Sequence, residues 1–328
     1  MRYKNNFIYY ITLFACVLFI LAGCASIFLK FDQRKDVRAF TAQMAKKYQF
    51  NQNELLDLFK QVTIQKSTLS NIQHPYEEKP WYVYQERLVT KQRTQDGLKY
   101  WKHHARALQY AQNTYGVPAS IIVAIIGVES NYGKVNFKYR TFDALTTLSF
   151  DYPKRAKFFQ QELEQYLLLT REHHLDPLAI FGSYAGAIGP AQFMPSTYRR
   201  FAVSYQTGGT ADIINNNDDA IVSVANFLKQ KGWQPNKIIT VRAKTNSTKY
   251  QQLLTKPPRL TIAQFKTYGL IPPHIISNRA IALLVPLQKQ QTTEYWLGFN
   301  NFMVLMKYNP NVNYAMAIYN LSKQLDRP

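Results

Sequence analysis

The sequence predicts a mainly α-helical fold (α+β), in which a small β-containing insertion interrupts a larger helical domain. Residues 36–65 and 97–115 carry apolar side chains at helical spacing. The run from Ile121 to Val128 is apolar on almost every side, which is typical of a helix buried all round. Three short segments after position 233, rich in β-branched, aromatic and aliphatic residues, predict strands.

The predicted helices carry start and stop signals. Asn51 to Glu54 resembles a capping box that opens a helix. Gly116 ends the helix over 97–115, and Pro118 suits the first turn of the next one. Further helices are predicted over 154–173, 218–231 and 312–325.

The β-containing insertion is predicted over 235–299. Its strands are expected at 238–244, 280–287 and 293–299, with two Pro-Pro pairs in the loops between them. The helical domain would then cover 24–234, and a C-terminal helix in 300–328 would complete it.

The first residues predict a bacterial lipoprotein signal peptide over 1–23. Arg2 and Lys4 precede an uncharged run, residues 5–29, that is long enough to span a bilayer. Within it, Leu21-Ala22-Gly23-Cys24 resembles a lipobox, where a peptidase cuts before the cysteine and the thiol receives a diacylglycerol. Ala25 implies, by analogy, sorting to the outer membrane. A retained transmembrane helix is the alternative.

The charge of the chain indicates which partners it could bind, and its cysteine content indicates whether it could hold a disulfide. The chain has 40 Lys+Arg against 20 Asp+Glu, a net charge of +20. This excess favours a polyanionic partner, which could be nucleic acid, an anionic lipid surface or a wall polymer bearing carboxylates. The basic residues are dispersed, so a solvated basic surface is the alternative. With Cys16 in the signal and Cys24 lipidated, the mature chain would hold no disulfide.

Glu129 stands near the end of the apolar run IIVAIIGVESNYG, residues 121–133. At the C-terminal end of a buried helix, desolvation and the negative end of the helix dipole both disfavour its ionisation. A carboxyl that keeps its proton near neutral pH is what general-acid catalysis requires. A capping or paired glutamate is the alternative, since Ser130, Asn131 and Gly133 form an ordinary helix stop.

A second stretch, Gly182 to Tyr198, reads GSYAGAIGPAQFMPSTY. Its small residues would allow close backbone approach while presenting Ser183, Tyr184 and Gln192, although a glycine-rich turn feeding a helix is the alternative. GVES followed about 50 residues later by GSYAGAIGPAQFMPS resembles the membrane-bound lytic murein transglycosylase B family. The resemblance extends from about Tyr48 to the C-terminus and implies a lysozyme-like helical catalytic domain of the goose type.

The resemblance implies a lytic transglycosylase. Such an enzyme cleaves the β-1,4 bond between N-acetylmuramic acid and N-acetylglucosamine in peptidoglycan without water and leaves 1,6-anhydromuramoyl ends. Glu129 would serve as general acid and then as base. A non-catalytic peptidoglycan-binding lipoprotein and a hydrolytic muramidase are the alternatives. A second catalytic carboxylate would favour hydrolysis, but Asp143 and Asp151, the nearest acids downstream, are expected to be helix caps.

The resemblance also implies substrate-binding residues. Ser183 matches a serine that orients the acid or the acetamido group, and Gln192 matches a glutamine that contacts the saccharide. The remaining positions are Tyr319 and Asn320 in the last helix beside the muramoyl sugar, Tyr84 at the cleft wall, Phe227 at an aromatic position, and Arg155 with Lys154 facing peptide-stem or lactyl carboxylates. For each aromatic residue, a place in the hydrophobic core is the alternative.

Relatives of this kind carry an EF-hand-like metal loop rich in Asp, which here reads SYQTGGTADIINNNDDAI over 204–221. Ser204 and Gln206 stand where oxygen-rich ligands are expected, and Asp212 and Asp219 are too few for a tight Ca²⁺ site. We therefore expect no cofactor and no tight metal site in this degenerate loop, residues 204–219.

The expected partners follow from the signal and the resemblance. They are peptidoglycan glycan strands, a membrane reached through lipidated Cys24, and unidentified proteins of cell-wall synthesis or division. Nucleic acid is not expected, because the export signal opposes it. The expected location is the periplasmic face of the outer membrane of a Gram-negative bacterium, through a lipid anchor.

Overall fold

The computed structural model describes residues 30–73, 79–273 and 276–326. The predicted signal peptide and Cys24 lie outside the described residues. The chain divides into two compact units between Thr63 and Ile64. The predicted domain boundaries at 23/24, 234/235 and 299/300 stay predictions.

Helices dominate the described residues, so the predicted mainly α fold class is confirmed. The α-helices of the described ranges are α1 Lys35–Tyr48, α2 Gln52–Phe59, α3 Lys66–Gln73, α4 Trp81–Leu88, α5 Lys91–His103, α6 Ala105–Tyr115, α7 Ala119–Ser130, α8 Thr141–Asp151, α9 Ala156–Glu172, α10 Pro195–Phe201, α11 Asn217–Gln230, α12 Ile262–Thr267, α13 Asn300–Leu305 and α14 Val312–Leu325.

The first unit contains α1 and α2. Asn51 is the N-cap of α2, and its side-chain oxygen accepts hydrogen bonds from the amides of Asn53 and Glu54. Gln49, with a φ of 58°, separates the two helices in the left-handed region. The rings of Phe40 and Phe59 pack edge to face, with centroids 6.1 Å apart.

In the second unit, the single helix predicted over 97–115 is two helices. α5 begins earlier, at Lys91, where the Thr90 hydroxyl caps it by accepting from the amide of Arg93 at 3.1 Å. The chain leaves helical geometry at His104 before α6 begins. The periodicity continues through this break because both helices bury an apolar face, so spacing alone does not reveal it.

α7 is buried on all sides from Ala119 to Gly127, as its composition predicts. It packs against α5, α6, α11 and α14. These neighbours hold the helix that carries Glu129 at the centre of the second unit.

Among the described residues, no single helix is long and apolar enough to cross a bilayer. α6 and α7 meet the length and hydropathy requirement only together, as a pair bent by 117°.

Across the described ranges, two sheets accompany the helices. β1 Tyr139–Arg140 pairs with β2 Phe181–Gly182. The second sheet has five antiparallel strands in the order β4-β6-β7-β3-β5. Its strands are β3 Thr240–Thr245, β4 Arg259–Thr261, β5 Leu270–Ile271, β6 Ile281–Gln288 and β7 Thr293–Gly298.

The five-stranded sheet has its own hydrophobic core, built around Ile262, Phe265 and Leu284. β3, β6 and β7 lie where the sequence predicts strands, whereas β4, β5 and α12 were missed. α12 is only six residues long, yet Thr261 and Gln264 form a full capping box at its start. Elements this short carry too few residues to show a period.

Candidate active site around Glu129

α7 ends directly after Glu129 because the following backbone turns left-handed. Asn131, Tyr132 and Gly133 have φ values of 50°, 63° and 76°. The Tyr132 ring folds back against Gly127, where an added Cβ would lie 2.6 Å from ring atoms. The sequence therefore predicts the helix stop correctly, and this stop fixes the position of Glu129.

Glu129 is half-buried and lines a cavity of about 160 Å³. α4, the end of α7, the segment after α13 and the start of α14 form its walls. The lining residues are Tyr84, Arg87, Leu88, Val128, Glu129, Asn309 and Tyr314. Glu129 is the one carboxylate among these described residues. Tyr84, predicted at the cleft wall, is 3% exposed and lies in this cavity.

Tyr314 forms a hydrogen bond with Glu129. Its hydroxyl donates to Oε1 of Glu129 at 2.7 Å. Burial, followed by the negative charge of Glu129, raises the pKa of Tyr314 well above its ordinary value, so the phenol keeps its proton. A donor favours the ionised carboxylate, whereas burial favours the protonated form.

Tyr308 lies behind Tyr314, with nearly parallel rings 6.2 Å apart. Its hydroxyl donates to the carbonyl of Ala191. Burial, and then the charge of Glu129, raises the pKa of Tyr308. Tyr308 therefore connects the surroundings of Glu129 with the GSYAGAIGPAQFMPS loop. Sequence reasoning missed both tyrosines, although Tyr314, a polar aromatic residue in the first turn of an apolar helix, was a usable signal.

Tyr319 and Asn320 were predicted beside the sugar in the last helix, but the structure places neither in the Glu129 cavity. At 100° per residue, they lie about 140° and about 240° around α14 from Tyr314. Tyr319 packs edge to face on Trp296 and lines a separate cavity of about 310 Å³. Asn320 is half-exposed. The position beside Glu129 belongs to Tyr314, and substrate contacts of the predicted pair stay a prediction.

The loop that carries Ser183 is tightly folded, as its small residues predict. Bridges join Gly182 to Ile188 and Ile188 to Phe193. A Cβ at Gly182 would lie 2.2 Å from the carbonyl oxygen of Ala187. Ser183 Oγ accepts from the amide of Ala187 at 3.1 Å. The side chain therefore stabilises its own loop, and its predicted contact with the acid or the acetamido group stays a prediction.

Gln192 and Phe227 line a common cavity of about 80 Å³ together with Tyr308. Gln192 has a φ of 48°, which is strained for a residue with a side chain. Its Nε2 donates to the carbonyl of Gly189 at 2.9 Å. Phe227 is 4% exposed, and its ring centroid lies 5.0 Å from that of Tyr308. The structure thus brings both predicted residues together with a neighbour of Glu129.

Lys154 and Arg155 lie in a short 3₁₀ helix, Pro153–Arg155, before α9. Both are exposed. The guanidinium of Arg155 lies over the ring of Phe158, 4.3 Å from its centroid. Neither residue lines the Glu129 cavity, and their role in binding carboxylates stays a prediction.

Neither Asp143 nor Asp151 occupies an N-cap position, so the expectation of N-caps was wrong: Arg140 precedes α8 and Arg155 precedes α9. Asp143 lies inside the first turn of α8, is 2% exposed, and accepts a 2.8 Å hydrogen bond from Arg140. Asp151 is the last residue of α8 rather than the residue before the next helix. Neither lines the Glu129 cavity.

Glu162 is a buried carboxylate that sequence reasoning missed. It lies on α9 and accepts hydrogen bonds from the amide and hydroxyl of Ser196, at 2.9 and 2.6 Å. Ser196 is in the first turn of α10, directly after the loop that carries Gln192. Burial raises the pKa of Glu162, although the Ser196 hydrogen bonds act in the opposite direction. Glu162 therefore supports this loop from the interior.

The residues of the 204–219 loop do not fit a metal ion. Both oxygens of Asp219 accept backbone amides, from Tyr205 and from Asp212, each at 2.8 Å. The Asp212 carboxylate accepts the amides of Ile214 and Asn215. No cluster of three or more His, Cys, Asp or Glu suited to a metal occurs in the described part of the chain. Loop amides therefore hold Asp212 and Asp219, and Asp218 lies 2.6 Å from His104.

The chain is similar to known proteins over most of its length. Residues 32–323 match the family described as Transglycosylase SLT domain. Membrane-bound lytic murein transglycosylase B of Escherichia coli is 35% identical over 311 residues, which cover 89% of this chain and 83% of the relative.

Solved structures are also similar. Lytic transglycosylase SltB1 from Pseudomonas aeruginosa, in a catenated form, superposes with a TM-score of 0.86 and 37% identity, over 90% of this chain and 99% of the other. SltB3 from the same organism, solved in complex with NAG-NAM-pentapeptide, gives a TM-score of 0.78 and 25% identity, over 92% and 80% of the two chains.

Proposed function

The chain belongs to the transglycosylase SLT domain family and is a lytic transglycosylase that acts on peptidoglycan, and we propose that Glu129 is its catalytic acid and base. The observation that carries this proposal is the cavity in which Glu129 is the one lining carboxylate and holds a hydrogen bond from Tyr314. Hydrolytic glycosidases use a pair of carboxylates. A single carboxyl suits a reaction in which the sugar supplies the nucleophile.

The proposed reaction has two proton transfers through Glu129. The protonated carboxyl gives its proton to the glycosidic oxygen as the bond to C1 of the muramoyl sugar breaks. The substrate's 2-acetamido group supports the positive anomeric carbon. The Glu129 carboxylate then takes the proton of the C6 hydroxyl as that oxygen bonds to C1. One bond breaks, one forms, Glu129 regains its proton and no water is consumed.

Tyr314 steadies the charged form of Glu129 between these transfers, because hydrogen bonds to charged groups are stronger than neutral ones. Tyr84 and Asn309 offer a phenol and an amide to the sugar in the same cavity. The other proposed substrate contacts are Ser183, Gln192 and Phe227 along the loop, Tyr319 and Asn320 on α14, and Arg155 and Lys154 for carboxylates.

We further propose that lipidated Cys24 anchors the enzyme to the outer membrane on its periplasmic side. The relative from Escherichia coli is named membrane-bound, which supports a membrane-associated enzyme. Labelling cells with a palmitate analogue tests the anchor: Cys24→Ser should lose the label, and Cys16→Ser should keep it. A label that persists in Cys24→Ser would rule the lipobox out.

Mass spectrometry of peptidoglycan incubated with the chain starting after Cys24 tests the catalytic proposal. The wild type should release anhydromuramoyl products, and Glu129→Gln should lose about 10³-fold or more of the rate, because it can neither give nor take the proton. Glu86→Gln, the same change at an exposed position on α4, is the matched control and should keep its rate.

The products separate the alternatives. Reducing ends from the wild type would identify a hydrolytic muramidase. Intact strands that retain the protein would identify a wall-binding lipoprotein. Full activity in Glu129→Gln would end the assignment of this residue.

A further inference from the structure

An open cavity of about 930 Å³ lies on the five-stranded sheet, away from Glu129. β3 pairs with β7 up to Ala243 and then with β5 at Lys244 and Thr245. β3 therefore diverges from the tip of the β6–β7 hairpin, and the cavity opens between them. We call it the sheet basin. It is lined by residues 242–245, Tyr250 and residues 288–295.

The sheet basin is positively charged. Arg242, Lys244 and Lys289 line it, against one carboxylate, Glu294. Glu294 is already engaged, since it lies 3.5 Å from Arg242 and accepts the indole N–H of Trp296 at 3.1 Å. The basin thus retains positive charge for a ligand, and Arg242 and Lys244 are exposed.

The rest of the lining suits peptide groups rather than an apolar ligand. Glutamines and threonines supply amide and hydroxyl groups along the hairpin tip. The rings of Tyr250 and Tyr295 meet with centroids 4.5 Å apart. Burial, followed by a hydrogen bond with Tyr250, raises the pKa of Tyr295 to about 12, so this phenol stays neutral at physiological pH.

A direct contact connects the sheet basin with the Glu129 cavity. The Lys289 amine donates to Oε1 of Gln85 on α4 at 3.0 Å. The preceding residue, Tyr84, lines the Glu129 cavity. Consecutive helical residues point about 100° apart, so the two features occupy neighbouring faces of one short helix. A polymer held at Glu129 can extend a substituent around α4 into the basin.

We propose that the sheet basin binds the acidic peptide stem of a disaccharide unit next to the one cleaved at Glu129. The inference rests on the proposed function, because it takes the glycan strand to lie in the Glu129 cavity. Stem carboxylates meet Arg242, Lys244 and Lys289, and stem peptide groups meet the hairpin. A stem of five residues extends at most about 17 Å, which exceeds the length of α4, whose eight residues span roughly 12 Å.

Cleavage of two substrates by two charge-reversal variants tests the proposal. One substrate is purified glycan strands with their stems, and the other is the same strands stripped by an amidase. Arg242→Glu/Lys244→Glu should lose about five- to tenfold in kcat/KM on stem-bearing strands, as expected for two exposed charge contacts that become repulsive. It should match the wild type on stripped strands.

Lys266→Glu/Arg279→Glu is the matched control. It makes the same charge change on exposed residues of the same sheet region, outside the basin, and should match the wild type on both substrates. Equal losses on both substrates, or no loss in the basin variant, would overturn the proposal. If the charge-reversal variant does not fold, Arg242→Gln/Lys244→Gln replaces it in the same assay, because the neutral side chains create no repulsion with Glu294.

A binding measurement separates this inference from the proposed function. Calorimetry with the isolated acidic stem peptide and the full soluble Glu129→Gln chain needs no turnover. Binding that is lost in the basin variants and kept in the control supports the inference. Equal binding by all three chains contradicts it, whether or not the wild type cleaves glycan.

Discussion

The Glu129 cavity and the sheet basin hold charge in opposite ways. The first is about 160 Å³, with one half-buried carboxylate bonded to a buried tyrosine. The second is about 930 Å³ and open, with exposed cations whose side chains reach water. Proton transfer needs an environment that holds one group in a defined position. Recognition of a polymer needs long, exposed side chains that can contact a ligand in more than one conformation.

This difference predicts where substitutions matter. A pair of charges gains far more in a buried environment of low effective dielectric than at the surface, and exposed pairs contribute about 0 to 1 kcal/mol. Removing the Tyr314 hydrogen bond from half-buried Glu129 should therefore lower activity more than any single change in the sheet basin. Substitutions at buried groups and matched exposed groups test this contrast, from the largest expected effect to the smallest.

Tyr314→Phe should lower kcat about 10- to 100-fold, because it removes a hydrogen bond to a charged group of about 1.5 to 3 kcal/mol. The hydrogen bond favours the ionised form of Glu129. Without it, the loss of activity at alkaline pH, where Glu129 has no proton to give, should move to higher pH. Initial rates against pH measure both effects.

Tyr166→Phe is the control for Tyr314→Phe. It removes another buried tyrosine hydrogen bond, to the carbonyl of Pro177 at 2.7 Å, without touching the Glu129 cavity. It should lower Tm and leave the pH profile unchanged. An unshifted profile in Tyr314→Phe would mean that the buried cavity does not tune Glu129 through this contact.

Asp219→Asn should lower the free energy of unfolding by about 1 to 3 kcal/mol, since it replaces an acceptor of two backbone amides with a group that has only one oxygen. Excess CaCl₂ should not restore this stability, because Asp212 accepts amides of its own loop and Asp218 lies 2.6 Å from His104. Urea unfolding with CaCl₂ or with a chelator measures both. Calcium that raises the stability of the wild type would show that the loop accepts the ion.

Asp326→Asn is the matched change at an exposed acid, 3.9 Å from Lys323. Its effect should stay below about 0.5 kcal/mol. A loss as large as that of Asp219→Asn would break the contrast between buried and exposed carboxylates.

The sequence predicts the surroundings of Glu129 better through motifs than through single residues. The helix stop after Glu129 and the close backbone packing in the GSYAGAIGPAQFMPS loop follow from local residue types, and the structure has both. Tyr314 was missed because its role depends on α14 crossing α7, a contact between residues 185 positions apart. Tyr319 is another tyrosine on α14, but it lies about 140° around the helix from Tyr314 and therefore faces away from the Glu129 cavity.

The sheet basin was outside the reach of sequence reasoning for a related reason. Arg242, Lys244 and Lys289 look like dispersed surface charge along the chain, and only strand pairing brings them to one cavity. Short elements were missed for a different reason. β4, β5 and α12 are too short for a periodic signal, although the capping box at Thr261 marked one of them.

Glu162→Gln should change how stability depends on pH. Burial raises the pKa of Glu162 above its ordinary value of 4.5, so the folded chain holds this proton more tightly than the unfolded chain does. The resulting stabilisation is present below pH 4.5 and is lost as pH rises through the folded pKa. Urea unfolding at a series of pH values should show the wild type losing stability relative to the variant as pH rises.

Glu172, at the exposed end of the same helix α9, should give stability the opposite dependence on pH. Its hydrogen bond with Arg199 lowers the pKa of Glu172, so its contribution is present at neutral pH and fades as pH falls. Glu172→Gln should therefore lose stability relative to the wild type at neutral pH only, by less than the Glu162 effect because solvent screens it. If both variants gave the same pH dependence, burial would not be what distinguishes the two carboxylates.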